Sequence, residues 1–180
     1  MSTQLKWRSE RPKETTKYGI PKDRTYINDN AMAFINFLVN KGIPLEAAFG
    51  VAGNIMNESG FNPYNKTDDD YNTGLPSGGL AMWHANRFTK LKKFAKDKGK
   101  NWEDIETQME FLWSELNGNY KNVLAKLKKT TDMNKASYIW GNEYEKFVGY
   151  DKWNSEGHKA RRQNAAAFKK EYNKRGYNFS

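Results

Sequence analysis

Residues 44–63 read PLEAAFGVAGNIMNESGFNP, and this stretch decides the fold. Behind Pro44, which suits a first helical turn, Leu45, Ala48, Val51, Ala52, Ile55 and Met56 recur at helical spacing. The segment is rich in Ala and Gly, so neighbouring elements can approach it closely. Ser59, Gly60, Asn62 and Pro63 end the helix. Glu58 therefore falls at the C-terminal end of an apolar helix, next to Phe61. Burial beside aromatic rings, the negative end of the helix dipole and nearby aspartates would each raise its pKa. A carboxylic acid that keeps its proton near neutral pH is what cleavage of a glycosidic bond needs at the leaving oxygen. The plain alternative is a solvated glutamate in a last helical turn.

Helical patterns continue on both sides. Upstream, Asn28 or Asp29 can cap a helix carrying Met32, Phe34, Ile35, Phe37 and Leu38, with Gly42 as its stop. Downstream, a long loop runs to about Gly79 and holds Asp68, Asp69 and Asp70; its length marks it as functional or mobile. Further helices are expected at about 85–98, 103–116, 119–129, 132–146 and 155–174. No sustained strand alternation appears outside the loop. The expectation is a mainly α domain over residues 28–180, with at most a small β-hairpin between Pro63 and Trp83. Residues 1–27 form a basic N-terminal arm with little periodicity. Composition alone leaves that arm disordered, and the alternative is an arm lying along its own domain or a partner.

Composition narrows the function classes. The 180 residues allow one core, and 6 Trp, 10 Tyr and 10 Phe supply its bulk. Cysteine is absent, which removes disulfides, thiolate metal sites and cysteine nucleophiles. The two histidines, His84 and His158, are too few for a multi-histidine metal centre, and neither a metal nor an organic cofactor is expected. No apolar run is long enough for a membrane span, and the charged N-terminus lacks the apolar centre of a secretory signal. The net charge of +9 favours polyanionic partners such as nucleic acid, anionic lipid or an anionic cell wall. Lys90 to Lys100 and the stretch with His158, Lys159, Arg161 and Arg162 carry much of it, by default as solvated helix faces. No nucleic-acid-binding motif accompanies them, which argues against that partner.

Taken in order, Glu58-Ser59-x-Phe61-x-Pro63 and Gly79-Leu80-Ala81-x-Trp83 resemble the Glu-Ser-x-Phe-x-Pro and Gly-Leu-x-Gln elements of lytic transglycosylases and goose-type lysozymes. With WEDIETQMEFLWSEL at 102–116, NEYEKF at 142–147 and a closing helix rich in Arg and Ala, the chain resembles the phage tail lysozyme family from about Ala47 to Ala167. The resemblance implies a lysozyme-like fold with a glycan groove beside a short hairpin. It puts the catalytic glutamate on Glu58 and, following the goose-type enzymes, a second carboxylate on Asp70. The Asp68 to Asp70 triplet could equally be a solvated loop tip. Substrate contacts fall on Trp83, His84, Tyr144 and Gln108, with Tyr64, Tyr71 and Tyr150 as further groove candidates. Trp83 and Tyr144 could instead pack the core, Gln108 could support the groove from beneath, and His84 could be a helix-start residue.

The implied activity is muramidase-type cleavage of peptidoglycan between N-acetylmuramic acid and N-acetylglucosamine, by hydrolysis or by lytic transglycosylation. The implied setting is a virion tail, assembled in the host cytoplasm and acting on the bacterial wall during infection. Other phage structural proteins would be partners through the N-terminal arm. Two blocks depart from the pattern. Met82 stands where the family carries Gln, and methionine offers no useful hydrogen bond. Lys146 and Phe147 replace an Arg-Pro pair. These departures support the alternative of a catalytically silent lysozyme fold kept as a structural or wall-binding virion part.

Overall fold

The computed structural model of the chain describes residues 5–68 and 73–177. Its helices are α1 (Arg24–Asn40), α2 (Leu45–Ser59), α3 (Asn86–Asp97), α4 (Ile105–Leu116), α5 (Lys121–Lys128), α6 (Met133–Trp140) and α7 (Glu156–Arg175). A π-helical turn, Gly141–Glu145, continues α6. Between α2 and α3, strands β1 (Lys66–Thr67), β2 (Ser77–Gly78) and β3 (Trp83–His84) form an antiparallel sheet in the order β1-β2-β3. The fold is the mainly α one expected, and the expected hairpin gains a third short strand.

The second helix is the axis of the domain. Ala47, Ala48, Phe49, Val51, Ala52 and Ile55 are all buried, and α1, α6 and α7 pack around it. A helix apolar on nearly every side must lie inside the protein. Gly50 and Gly53 set how closely its neighbours come. A Cβ on Gly50 would lie 2.5 Å from the Met133 carbonyl oxygen of α6. One on Gly53 would lie 2.3 Å from the Arg161 carbonyl oxygen of α7. The last helix is strongly polar, yet His158, Arg161, Ala165, Phe168 and Tyr172 line one face of it at spacings of three and four and are buried. That narrow stripe covers α2.

Two boundaries and one burial differ from the sequence expectation. The first helix starts at Arg24, capped by Asp23, whose carboxylate accepts from the Thr25 amide at 2.9 Å. Asn28 and Asp29 thus lie inside it, because Tyr26 and Ile27 extend the apolar stripe by a turn amid charged residues. The segment expected as one helix over 132–146 changes pitch at Gly141. There the Lys146 amide donates to the Gly141 carbonyl at 2.8 Å, five residues back, and Lys146 leaves in a left-handed conformation. In the basic closing stretch, His158 and Arg161 are buried rather than solvated.

The described part of the N-terminal arm lies along its own domain. Asn30 of α1 accepts from the Arg8 amide at 2.6 Å and donates to the Arg8 carbonyl at 3.1 Å. Farther along, Asn62 donates to the Gly19 carbonyl at 2.9 Å and Tyr64 to the Ser9 carbonyl at 2.9 Å. Leu5, Trp7 and Ile20 pack against the core. The arm thereby fastens the residues that follow Glu58. Gly53→Ala should lower the stability of the domain by about 1–3 kcal/mol, since α7 backbone must give way to the added methyl. A drop in the urea midpoint with an unchanged slope is the expected result.

Candidate active site

Glu58 occupies the last turn of α2, where Gly60 caps the helix in a left-handed conformation and Phe61 follows with φ of 62°. A positive φ is costly for an aromatic residue and persists only where the surroundings impose it. Here Phe61 is wedged edge-on between Phe34 and Phe168, at centroid distances of 5.4 and 5.6 Å, and its carbonyl accepts from Asn30. The Ser59 hydroxyl donates to the Leu80 carbonyl at 2.6 Å, tying this turn to the Gly79–Trp83 turn. The backbone under Glu58 is therefore held from both sides.

The Glu58 side chain is 19% exposed, and its Oε1 accepts from Nη2 of Arg161 at 2.6 Å; the Arg161 side chain is 6% exposed. Burial pushes the Glu58 carboxyl above the ordinary glutamate value, and the charge and hydrogen bond of Arg161 hold part of that rise back. Arg161 lies flat against the Phe147 ring, 3.6 Å from its centroid, and donates to the Gly157 carbonyl through Nη1. Its Nε has no partner, and neither do Oδ1 of Asn54 and Nδ1 of His158, all among the described residues. A Cβ on Gly141 would contact both Asn54 and His158, so the π-turn crosses α2 one helical turn before Glu58. Nε2 of His158 faces the Tyr150 carbonyl at 2.6 Å, so that nitrogen carries the proton.

The π-turn also delivers a second carboxyl. Glu145 accepts from Nε1 of Trp140 at 3.1 Å. Burial holds it well above the ordinary value, the Glu58 charge raises it further, and Arg87 and Arg161 oppose both. Glu145 and Glu58 thus influence each other's ionisation, and such a pair of carboxyls can be driven apart in pKa. The sequence pointed to Glu145 only through the loose NEYEKF block, because its approach to Glu58 depends on the change of pitch at Gly141. Arg161 had no sequence signal beyond its basic stretch and its place in the closing Arg- and Ala-rich helix of the resemblance.

A buried network keeps the π-turn in place. One carboxylate, Glu115 of α4, accepts from Nε1 of Trp83 at 2.8 Å, from the Tyr144 hydroxyl, and from Arg87 at 2.8 and 2.9 Å. Arg87 also donates to the Tyr144 carbonyl at 3.2 Å and stacks on the Tyr120 and Tyr144 rings. Burial, and then the Glu115 charge, hold the Tyr144 phenol far above its usual value, so it stays a donor.

Of the residues expected to touch substrate, Trp83, Tyr144 and Gln108 are buried and His84 is half-buried. Trp83 and Tyr144 are fully buried, with no face open to a sugar, because their polar tips serve the Glu115 network. Gln108 is buried too. It accepts from the Leu80 amide at 2.9 Å and donates to the carbonyls of Pro63 and Trp102 at 2.9 and 2.8 Å, joining α4 to the loops on either side of the sheet. His84 bonds Ser77 at 2.8 Å and Thr73 at 3.0 Å, clasping the sheet. Met82 is half-buried and sits in the β2–β3 turn with φ of 46°. Asp70 and Tyr71 lie outside the described residues, and Asp68 is exposed and paired with Lys66 at 2.7 Å.

A model of the phage tail lysozyme family matches residues 29–172, and the chain belongs to that family. A search of curated proteins finds no match. The family places the chain among phage lysozyme-like enzymes that degrade peptidoglycan. No helix among the described residues is long and apolar enough to cross a membrane.

Glu115→Ala would leave Arg87, Trp83 and Tyr144 without their shared acceptor. A loss of about 3–5 kcal/mol is expected, as for other buried pairs stripped of one partner, and thermal unfolding measures it.

Proposed function

We propose that the chain is a virion-borne muramidase of the phage tail that cleaves the bond between N-acetylmuramic acid and N-acetylglucosamine, with Glu58 as the general acid. The observation that carries this reading is the buried Glu58 carboxyl, raised above its ordinary value yet still partly open at the end of α2. Protonated Glu58 gives its proton to the glycosidic oxygen as the bond from that oxygen to the sugar C1 breaks, leaving positive charge on the ring. If water then adds at C1, a carboxylate takes up the released proton and the product has a reducing end. If the ring's own 6-hydroxyl adds, its proton returns to Glu58 and a 1,6-anhydro sugar results. The hydrolytic route uses a second carboxylate. Asp70 is the candidate from the goose-type pattern, and Glu145 is supported by the influence of the Glu58 charge on its buried carboxyl.

The ion pair between Glu58 and Arg161 favours a second reading, since a carboxylate held ionised cannot act as an acid. On that reading, with Met82 in place of Gln, the fold is a wall-binding virion part. Digestion of purified peptidoglycan distinguishes the two. The expected outcome is release of muropeptides by the wild type and a loss of about 10²–10⁴-fold in Glu58→Gln, the usual worth of a general acid. Mass spectra then assign reducing or anhydro ends. Absence of release from several wall types by either protein would leave the silent reading standing.

The pH dependence carries its own test. A carboxyl raised above its unfolded value binds its proton more tightly in the folded state. Its contribution to stability is complete below the ordinary glutamate value and is lost as pH rises through the raised one. Activity that needs the protonated form should fall over that same rise. Arg161→Met removes the cation that restrains the shift, so the alkaline limb of the rate profile should move to higher pH.

A further inference from the structure

Among the described residues, five large apolar side chains are exposed, and three of them fall within residues 148–153, on the loop between the π-turn and α7. Val148 is 87% exposed, Trp153 43% and Tyr150 37%, while the other two, Tyr18 and Leu75, stand on separate segments. Single exposed apolar residues are ordinary, whereas three in so short a stretch mark an interaction site. None of the three has a part in the acid chemistry at Glu58.

The loop has a fixed backbone. Three successive turns run through it, with the amides of Tyr150, Lys152 and Ser155 donating to the carbonyls of Phe147, Gly149 and Lys152 at 2.9, 3.0 and 3.0 Å. From α7, His158 donates to the Tyr150 carbonyl at 2.6 Å. Arg162 donates to the Trp153 carbonyl at 2.8 Å and stacks 4.6 Å from the indole centroid. From α6, the Tyr138 hydroxyl donates to the Asp151 carbonyl at 3.2 Å. The exposed side chains are thus presented by an ordered segment. Its charges are chiefly positive. Glu156 and Lys159 pair with each other at 3.5 Å, and Arg161 pairs with Glu58. Lys146, Lys152 and Arg162 form no ion pair among the described residues, and Asp151 is the one acid left to set against them. The whole chain carries +9.

We propose that this loop docks the protein on an anionic lipid bilayer, with the domain lying on the membrane surface and no segment crossing it. Tyrosine and tryptophan, apolar in body and polar at the tip, suit the level of the headgroups, and an aliphatic side chain suits the acyl boundary below them. Lys146, Lys152 and Arg162 meet the anionic headgroups, and the net charge draws the protein to the surface from a distance. A fluid bilayer receives a few protruding side chains without a matching pocket. A stable protein partner would call for roughly 1,200–2,000 Å² of buried surface, far more than three side chains supply. A soluble polyanion has no use for Val148, which can neither stack nor hydrogen-bond through its side chain.

Co-sedimentation with vesicles at physiological ionic strength tests the proposal, using mixed phosphatidylglycerol–phosphatidylcholine vesicles and phosphatidylcholine alone. The chain should partition onto the mixed vesicles and bind the neutral ones at least about tenfold more weakly. At 87% exposure Val148 supports no core, so Val148→Ser should leave the fold intact. It should weaken partitioning about fivefold, with a further loss of about tenfold on adding Trp153→Ser. Tyr18→Ser, which removes an exposed aromatic outside the loop, should partition as the wild type does. Trp153 is the one tryptophan among the exposed large apolar side chains. Brominated acyl chains should therefore quench the fluorescence of the wild type and not that of Trp153→Phe, which still binds. Absence of binding to the mixed vesicles overturns the proposal, as does equal binding to both kinds. Binding that Val148→Ser and Trp153→Ser leave unchanged is the attraction of a cationic protein to any polyanion, nucleic acid and anionic wall polymer included, and overturns it equally.

Discussion

The close crossing of α2 by α6 and α7 governs the rest of the molecule. Side chains at Gly50 and Gly53 would collide with the backbone of both neighbours. Only because these positions are bare can α7 bring Arg161 to the end of α2, and α6 bring its π-turn alongside. Glu58 gains from this crossing both the burial that raises its pKa and the cation that limits the rise. Packing density and electrostatics are here one arrangement. A helix held a few ångströms farther out would leave Glu58 as an ordinary solvated carboxylate.

Around that crossing, polar residues join loops that carry no regular hydrogen bonds. Glu115 collects donors from β3, α3 and the π-turn, so the position of Glu145 depends on a residue distant in sequence. Gln108 performs a similar task for the loops before and after the sheet. Asn30 links the N-terminal arm to the carbonyl of Phe61, three residues after Glu58. Buried polar groups are costly unless paired: Gln108 and Asn30 satisfy backbone groups of irregular segments, while Glu115 gathers side-chain donors.

The polar character of α7 shows how little apolar surface a helix needs when its partner is flat and small. Its buried stripe includes a histidine and an arginine, and both have tasks: His158 grips the Tyr150 carbonyl and Arg161 pairs with Glu58. The exposed loop they hold places Tyr150 and Trp153 at the surface with their backbone restrained.

Local pattern determined the helices and the approximate loop limits, because helical periodicity and end signals are properties of short segments, and the ordered motifs of the family resemblance singled out Glu58. The tight packing around α2 was legible too, from its Ala and Gly content. The early start of α1 was hidden because Tyr26 and Ile27 stand among charges. The π-turn was hidden because a change of pitch leaves no periodic trace in so few residues. Whether Trp83 and Tyr144 face solvent or core, whether His158 and Arg161 are solvated or buried, and which carboxyl approaches Glu58 were decided by tertiary structure. Each depends on what lies opposite a residue once distant segments meet, and burial, which sets both exposure and pKa, exists only then.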